Sequence, residues 1–248
     1  MNEKPIIFSS EMVRAIFAGK KKQTRRIVKG WEEIEEKCNE IGSFEFSKFR
    51  KCDDGAFDLF ARENRLVATL KPSWKVGQKL WVKETWRTFH SNEFDFVQYK
   101  ENETIYRRKI NDSNDDLVGP VYFLWGDYDD LLKSPDFKWN SPMFMPRWAS
   151  RIKLEVTNIR LERLTDISAS DIISEGFDVD SVESDCVDDP WGHWWHVEQA
   201  FFRHVSRVNH QHDDWATETT PLVWVIDFET VSIKGNAVKS SVNADCGA

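Results

Sequence analysis

The feature that most constrains the fold is a helix whose closing glycine leads directly into the most basic run of the chain. Residues 5–9 (PIIFS) predict a short strand, and Ser10 can cap a helix that ends at Gly19. Apolar residues recur at helical spacing in this segment, at Met12, Val13, Ile16 and Phe17. Residues 20–26 then read KKKQTRR. The pattern predicts a dense group of cations at the C-terminal end of the first helix.

Other segments carry the large apolar residues expected of core strands. These segments are residues 80–86, 152–156, 159–164 and 222–228. Ser168 and Asp171 resemble a capping box, which predicts a short helix ended by Gly176. Apolar residues at helical spacing predict another helix over residues 196–208.

The segments between these elements are charged or rich in turn residues, and we interpret them as insertions into a single domain over residues 1–233. The first, at about 30–71, is predicted to be helical or irregular, and the others are at about 88–142 and 178–195. The second contains a predicted loop at 111–116 and a predicted strand at 121–125. Residues 234–248 are small and polar and are predicted to be disordered.

Charge and cysteine content exclude several classes of function. The net charge of −8 opposes tight non-specific binding to a phosphate backbone. The four cysteines form no CxxC pair, which argues against a structural zinc site and a disulfide scaffold and favours a reducing compartment. A charged N-terminus and the lack of a long apolar run predict a cytoplasmic protein with no membrane contact.

Motifs for cofactors and metals are weak. The sequence contains no Walker loop, no GxGxxG and no GxSxG. Residues 196–198 (HVE) match part of the zinc deaminase motif, but no PCxxC follows them. The remaining histidines of this region have no catalytic spacing; they are His193, His204, His210 and His212. We therefore predict no cofactor and no metal.

Three separated pieces resemble ASCH domains. Residues 15–26 are similar to the segment that opens these domains, and residues 224–228 resemble their last barrel strand. Residues 77–86 combined with 145–151 resemble the larger ASCH-related proteins of phages and prophages. The resemblance implies an α+β fold, a PUA-like β-barrel with flanking helices and long insertions, and a cleft beside the first helix.

The resemblance also implies a candidate active site. Some small ASCH proteins are amidohydrolases that remove the acetyl group from N4-acetylcytidine, using a Lys and a Thr in the basic turn and a Glu on a later helix. The matching residues are Lys21, Thr24 and Glu175. The chain departs from those enzymes at Lys20 and Lys22, where they usually have Arg and Thr, and it is much longer. Other ASCH members are linked to RNA binding or RNA cleavage.

These residue types suit amide hydrolysis. Thr24 would be the nucleophile, and Lys21 would take its proton if burial and neighbouring cations lower the lysine pKa. The neighbouring cations are Lys20, Lys22, Arg25 and Arg26, which are also predicted to bind the substrate or a nucleic acid. Glu175 would carry a proton to the leaving nitrogen. In a regular strand Lys22, not Lys21, would share a face with Thr24, so this pairing requires a turn or bulge.

The same residues have less specific interpretations. The basic run could be a solvated turn that stabilises a helix end, and Glu175 could be an ordinary surface residue.

A second set of residues is suited to contacting a base. Arg147, Trp148 and Arg151 would present guanidinium groups and an aromatic ring, while Glu84 and Trp86 would read a cytosine amino group. The alternative is a barrel strand with core tryptophans and with arginines paired to acidic loops.

Two other functions stay open beside hydrolysis of a modified nucleoside or RNA. One is a non-catalytic RNA-binding module that uses Arg25, Arg26, Arg147 and Trp148. The other is a phage accessory protein whose acidic loops at 112–116 and 178–189 bind a host protein.

Overall fold

The computed structural model describes most of the chain. The described ranges are 3–40, 48–61, 64–90, 93–102, 105–110, 117–118, 121, 138–179, 192–209 and 221–234. Several predictions fall outside them: the loop at 111–116, the strand at 122–125, most of the acidic segment at 178–189, His210, His212 and the tail beyond Lys234.

The described residues form a mixed α+β structure with more strands than helices, which confirms that part of the predicted fold. The helices are α1 (Ser10–Phe17), α2 (Trp31–Glu40), α3 (Ala169–Ser174) and α4 (Gly192–Asn209). The strands are β1 (Lys4–Ile7), β2 (Gln23–Ile27), β3 (Lys48–Lys51), β4 (Phe57–Phe60), β5 (Leu66–Leu70), β6 (Lys79–Lys83), β7 (Trp86–His90), β8 (Phe94–Tyr99), β9 (Ile105–Lys109), β10 (Ile152–Arg163) and β11 (Leu222–Ile233).

The strands belong to three sheets. The largest has the order β1-β6-β10-β11-β2, with β1 parallel to β6 and β11 antiparallel to β2. Two smaller antiparallel sheets have the orders β3-β4-β5 and β7-β8-β9. The PUA-like barrel remains a prediction.

The chain divides into two compact units. The first unit comprises Met1–Val13, Lys79–Leu154 and Thr230–Ala248, and the second comprises Arg14–Gln78 and Glu155–Glu229. Strands β10 and β11 each contribute residues to both units.

Each unit has its own apolar core. In the first unit a core cluster contains Trp86, Val97 and Tyr99, with Met145 and Ala149 from the segment before β10. In the second unit the helices pack on β11 through a cluster that includes Ile172, Val197, Phe201, Val223 and Val225. This second cluster fixes α3 against the sheet, and α3 carries one side of the candidate site.

The local signals near the basic run match the structure. Gly19 has a φ of 68° and ends α1, and Lys20 N donates to Ala15 O at 2.9 Å. The Ser168 side chain accepts a hydrogen bond from Asp171 N and caps α3. Gly176, with a φ of 76°, follows this helix.

The structure differs from the sequence analysis in four places. Residues 152–156 and 159–164, predicted as two strands, belong to one continuous strand, β10, which ends at Arg163. Residues 80–86 are two strands of different sheets, because the chain leaves β6 after Lys83 and β7 begins at Trp86. Residues 147–149 form a 3-10 turn, not a strand. The segments at 30–71 and 88–142 contain antiparallel sheets, whose short strands are stabilised by pairing with one another and show little apolar periodicity.

Candidate functional site

The turn after α1 buries Lys21 and exposes its neighbours. Both Lys20 N and Lys21 N donate to Ala15 O, and Lys22 N donates to Ser174 O at 2.8 Å. The last bond attaches the turn to the end of α3. The Lys21 side chain has 0% exposed surface, whereas Lys20 and Lys22 are exposed. The backbone at 20–22 is irregular, and the regular strand β2 begins at Gln23.

Lys21 uses all three of its donors. Its Nζ donates to Gln23 O at 2.8 Å, to Glu175 O at 2.7 Å and to Glu175 Oε2 at 2.9 Å. An ammonium group has three N–H bonds, so these acceptors satisfy the charged form completely. Lys21 and Glu175 therefore form a buried ion pair.

Arg25 extends this pair into a larger group. Its Nη1 is 3.2 Å from Glu175 Oε1, and its Nη2 is 3.2 Å from Asp171 Oδ2 and 3.4 Å from Glu162 Oε2. Arg160 contacts Glu162 and Asp171 as well, at 3.2 and 3.3 Å. We call this group of three cations and three carboxylates the ionic cluster; its members are Lys21, Arg25, Arg160, Glu162, Asp171 and Glu175.

Alternation along β2 explains which residues reach the ionic cluster. Arg25 pairs with Val225 and Gln23 pairs with Asp227, so these side chains share the sheet face that α3 covers. Asp171 lies in the first turn of α3 and Glu175 is its C-cap residue. Residues 160 and 162, two apart on β10, complete the cluster.

Thr24 lies on the opposite face of β2. It pairs with Ile226, next to Trp224, whose ring meets Phe57 edge to face at 5.4 Å. Thr24 is buried, and within the described residues no hydrogen bond joins its hydroxyl to Lys21 or Glu175. Of the three predicted catalytic residues, the structure brings Lys21 and Glu175 into contact.

Burial and charge act in opposite directions on these groups. Burial lowers the pKa of Lys21 below its ordinary value, although the charge and hydrogen bond of Glu175 oppose this change. Burial alone would raise the pKa of Asp171, but Arg25, Ser168 and Arg160 together hold it below its ordinary value. Burial raises the pKa of Glu162. Lys21 is therefore a lysine whose proton is easier to remove than usual.

Sequence reasoning missed Arg160 and Glu162 as members of the ionic cluster. It identified Asp171 as a capping residue but not as an ion-pair partner. One signal in the sequence could have indicated Arg160 and Glu162. Arg160 and Glu162 alternate with Ile159 and Leu161, so one face of this part of β10 carries two opposite charges. Such a pattern indicates polar partners on that face.

The remaining basic residue of the run, Arg26, alternates to the Thr24 face of β2 and is half-buried. Burial lowers its pKa, with Glu175 opposing the change.

The predicted base-contacting residues belong to the first unit, where Glu84 and Arg151 bind each other. Arg151 Nε donates to Glu84 Oε1 at 2.9 Å, and its Nη2 donates to Oε2 at 2.7 Å. The guanidinium also lies 4.0 Å from the Tyr99 ring centroid and donates to Asn102 Oδ1 at 3.2 Å. Both side chains are inaccessible in this structure, at 0% and 1% exposure.

The pKa values of this pair reflect its burial. Burial raises the pKa of Glu84, and Arg151 opposes the change. Burial alone would lower the pKa of Arg151, but Glu84 holds it above its ordinary value.

The other residues predicted to contact a base also interact with neighbours in the first unit. Trp86 is part of the core cluster at 7% exposure. Arg147 donates to Glu3 through Nε at 2.7 Å. The Arg108 guanidinium lies 4.0 Å from the centroid of the Trp148 ring.

Comparison of the chain with models of protein families, with curated proteins and with solved structures gave no match. Within the described ranges, no group of three or more His, Cys, Asp or Glu side chains could hold a metal ion. No helix among them is long and apolar enough to cross a membrane.

Proposed function

We propose that the chain hydrolyses an amide on a modified nucleoside, such as N4-acetylcytidine, at a site centred on Lys21 and Glu175. The observation that carries the proposal is the direct contact of these residues, 154 positions apart, at 2.9 Å inside the ionic cluster. The resemblance to ASCH domains implies that the same two residues, with Thr24, are catalytic. The proposal includes the PUA-like fold of that family.

The resting ion pair can become an acid–base pair by one proton transfer. When an N–H bond of Lys21 breaks and an O–H bond forms on Glu175, the result is a neutral amine and a carboxylic acid. Burial lowers the pKa of Lys21, which makes the removal of its proton easier. The amine can then accept the proton of the attacking hydroxyl, and Glu175 can donate its proton to the exocyclic nitrogen of cytidine.

The nucleophile is either the Thr24 hydroxyl or water. If Thr24 attacks, an acyl-enzyme forms, and a water molecule then hydrolyses it. If water attacks the amide directly, one addition followed by one elimination gives acetic acid and cytidine. In both cases one amide and one water give one carboxylic acid and one amine. The position of Thr24 on the other face of β2 favours water.

The first experiment measures turnover of N4-acetylcytidine by chromatography. We expect Lys21→Arg to reduce kcat about 100-fold or more, because arginine keeps the charge but cannot act as a base near neutral pH. Glu175→Gln should have a similar effect. Lys22→Arg is the matched control, since Lys22 is the exposed neighbour, and it should stay within about twofold of the parent.

Each outcome decides a separate point. Wild-type protein without turnover contradicts the proposal, and so does a Lys21→Arg variant with parental kcat. Thr24→Val distinguishes the nucleophiles: full activity indicates water, and complete loss in a folded variant indicates Thr24.

The phage accessory hypothesis stays a prediction, because most of its acidic loops lie outside the described residues. A pull-down from host lysate with and without residues 180–189 tests it. The RNA-binding alternative, with contacts at Arg25, Arg26, Arg147 and Trp148, also stays a prediction.

A further inference from the structure

We propose that the first unit carries a binding surface for single-stranded nucleic acid, on the outer side of β6 and the turn at Pro142–Phe144. We call it the Trp81 surface; its residues are Lys79, Trp81, Lys83, Met143, Phe144, Arg147 and Lys153. The inference does not depend on the proposed hydrolase activity, because none of these residues belongs to the ionic cluster.

Strand alternation creates the Trp81 surface. Leu80 and Val82 of β6 are fully buried, so Lys79, Trp81 and Lys83 point to the other side, where they are partly exposed. On β1, Pro5 pairs with Trp81 and Ile7 pairs with Lys83, and both β1 residues are exposed. The outer face thus has a tryptophan between two lysines.

Cations surround the Trp81 ring. The Lys83 ammonium is 5.3 Å from the ring centroid, and the Arg147 guanidinium is 5.7 Å from it. Lys153 and Arg147 both contact Glu3. These three cations and Lys79 outnumber the contacting carboxylate of Glu3, although the chain as a whole has a net charge of −8. The local sign therefore suits a polyanion.

The neighbouring turn adds exposed apolar side chains. Met143 is 63% exposed and Phe144 is 74% exposed. Lys83 Nζ donates to Met143 O at 2.6 Å, and the Ser141 side chain caps the turn. These bonds attach the turn that carries Phe144 to β6. An aromatic side chain left in water next to several cations indicates a ligand that has both flat apolar faces and negative charge.

A single-stranded nucleic acid has this combination. Its unpaired bases can stack on Phe144, while the Lys83 and Arg147 cations can contact phosphates. In a duplex the base faces are covered by their neighbours, so only the phosphates would be available. We therefore expect a preference for single strands over duplex.

The test is fluorescence anisotropy of a labelled RNA of about 12 nucleotides, titrated with the full chain at about 50 to 200 mM NaCl. Phe144→Ala should raise Kd about tenfold through lost stacking, with an unchanged salt dependence. Lys83→Gln should also raise Kd, and it should lower the slope of log K against log salt by about 0.7. Val76→Ala and Lys75→Gln, exposed residues of the second unit, are matched controls and should bind like the parent.

The proposal is overturned if the parent does not bind the RNA, if Phe144→Ala binds like the parent, or if duplex competes as well as single strand. Binding to vesicles containing phosphatidylserine, lost in Phe144→Ala and without RNA binding, would assign the surface to a membrane instead. Lys21→Arg should bind RNA like the parent, so a failure of the hydrolase proposal leaves this result intact.

Discussion

Gly176 shows how one residue without a side chain can position a site. Its φ of 76° lies in the left-handed region. A Cβ at this position would be 2.6 Å from Ala15 Cβ and 2.9 Å from Lys21 Cβ, closer than real atoms approach. The end of α3 therefore reaches the turn after α1 because residue 176 is glycine, and this approach allows Glu175 to meet Lys21.

Gly176→Ala should destabilise the protein by about 2–5 kcal/mol, because left-handed strain and overpacking add together. Gly19→Ala is the matched control: its φ is 68°, but nothing lies within 4 Å of an added Cβ. Strain alone should cost it about 1–2 kcal/mol. Urea unfolding measures both values. Equal losses in the two variants would show that the close approach at Gly176 is unimportant.

Helix α3 and its two capping residues combine three functions within residues 168–175. Ser168 caps its start, Asp171 in its first turn binds Arg25 and Arg160, and Glu175 at its end binds Lys21. So short a helix is not stable alone in water. Its position follows from Ile172, which is fully buried in the core of the second unit.

The charge of Asp171 predicts a pH dependence. Its pKa is held below the ordinary value in the folded state, so the unfolded chain binds more protons on acidification. The contribution of Asp171 to stability is complete above about pH 4 to 5 and is lost as the pH falls through the folded pKa.

Asp171→Asn should therefore be less stable than the parent at pH 7, and the difference should shrink between about pH 5 and pH 2. Unfolding in urea at a series of pH values measures this. A difference that stays constant across the series would show that the carboxylate charge does not stabilise the fold.

At the scale of the whole molecule, two strands belong to both units. Ile152–Leu154 of β10 lie in the first unit and the rest of the strand lies in the second, and β11 is divided after Glu229. If one half of a strand unfolds, the strand loses the interstrand hydrogen bonds of that half. We therefore expect the two units to unfold together.

Arg151→Met tests this cooperativity. The substitution leaves Glu84 buried without its partner, which should cost about 3–5 kcal/mol. Thermal unfolding followed by tryptophan fluorescence and by far-ultraviolet circular dichroism should give one coincident transition at a lower Tm. Two separated transitions would show that the units are thermodynamically independent.

The sequence by itself determined the elements that depend on near neighbours. Helix α1, its closing Gly19, the Ser168 cap and strand β11 follow from periodicity and capping, which act over a few residues. The strand content of β10 was predicted as well, but as two strands. Lys21 and Glu175 were predicted through the resemblance of the sequence to ASCH domains, which implies a Lys in the basic turn and a Glu on a later helix.

Only the tertiary structure decided which charges meet. Lys21 is buried and Lys22 is exposed because the turn bonds to the end of α3, and Arg160 and Glu162 join the ionic cluster because β10 runs beside β11. The same holds for Glu84 and Arg151, which bind each other although the sequence suggested a ligand for both. A buried charge takes whichever partner the packing of distant segments provides, and no short window of sequence contains that information.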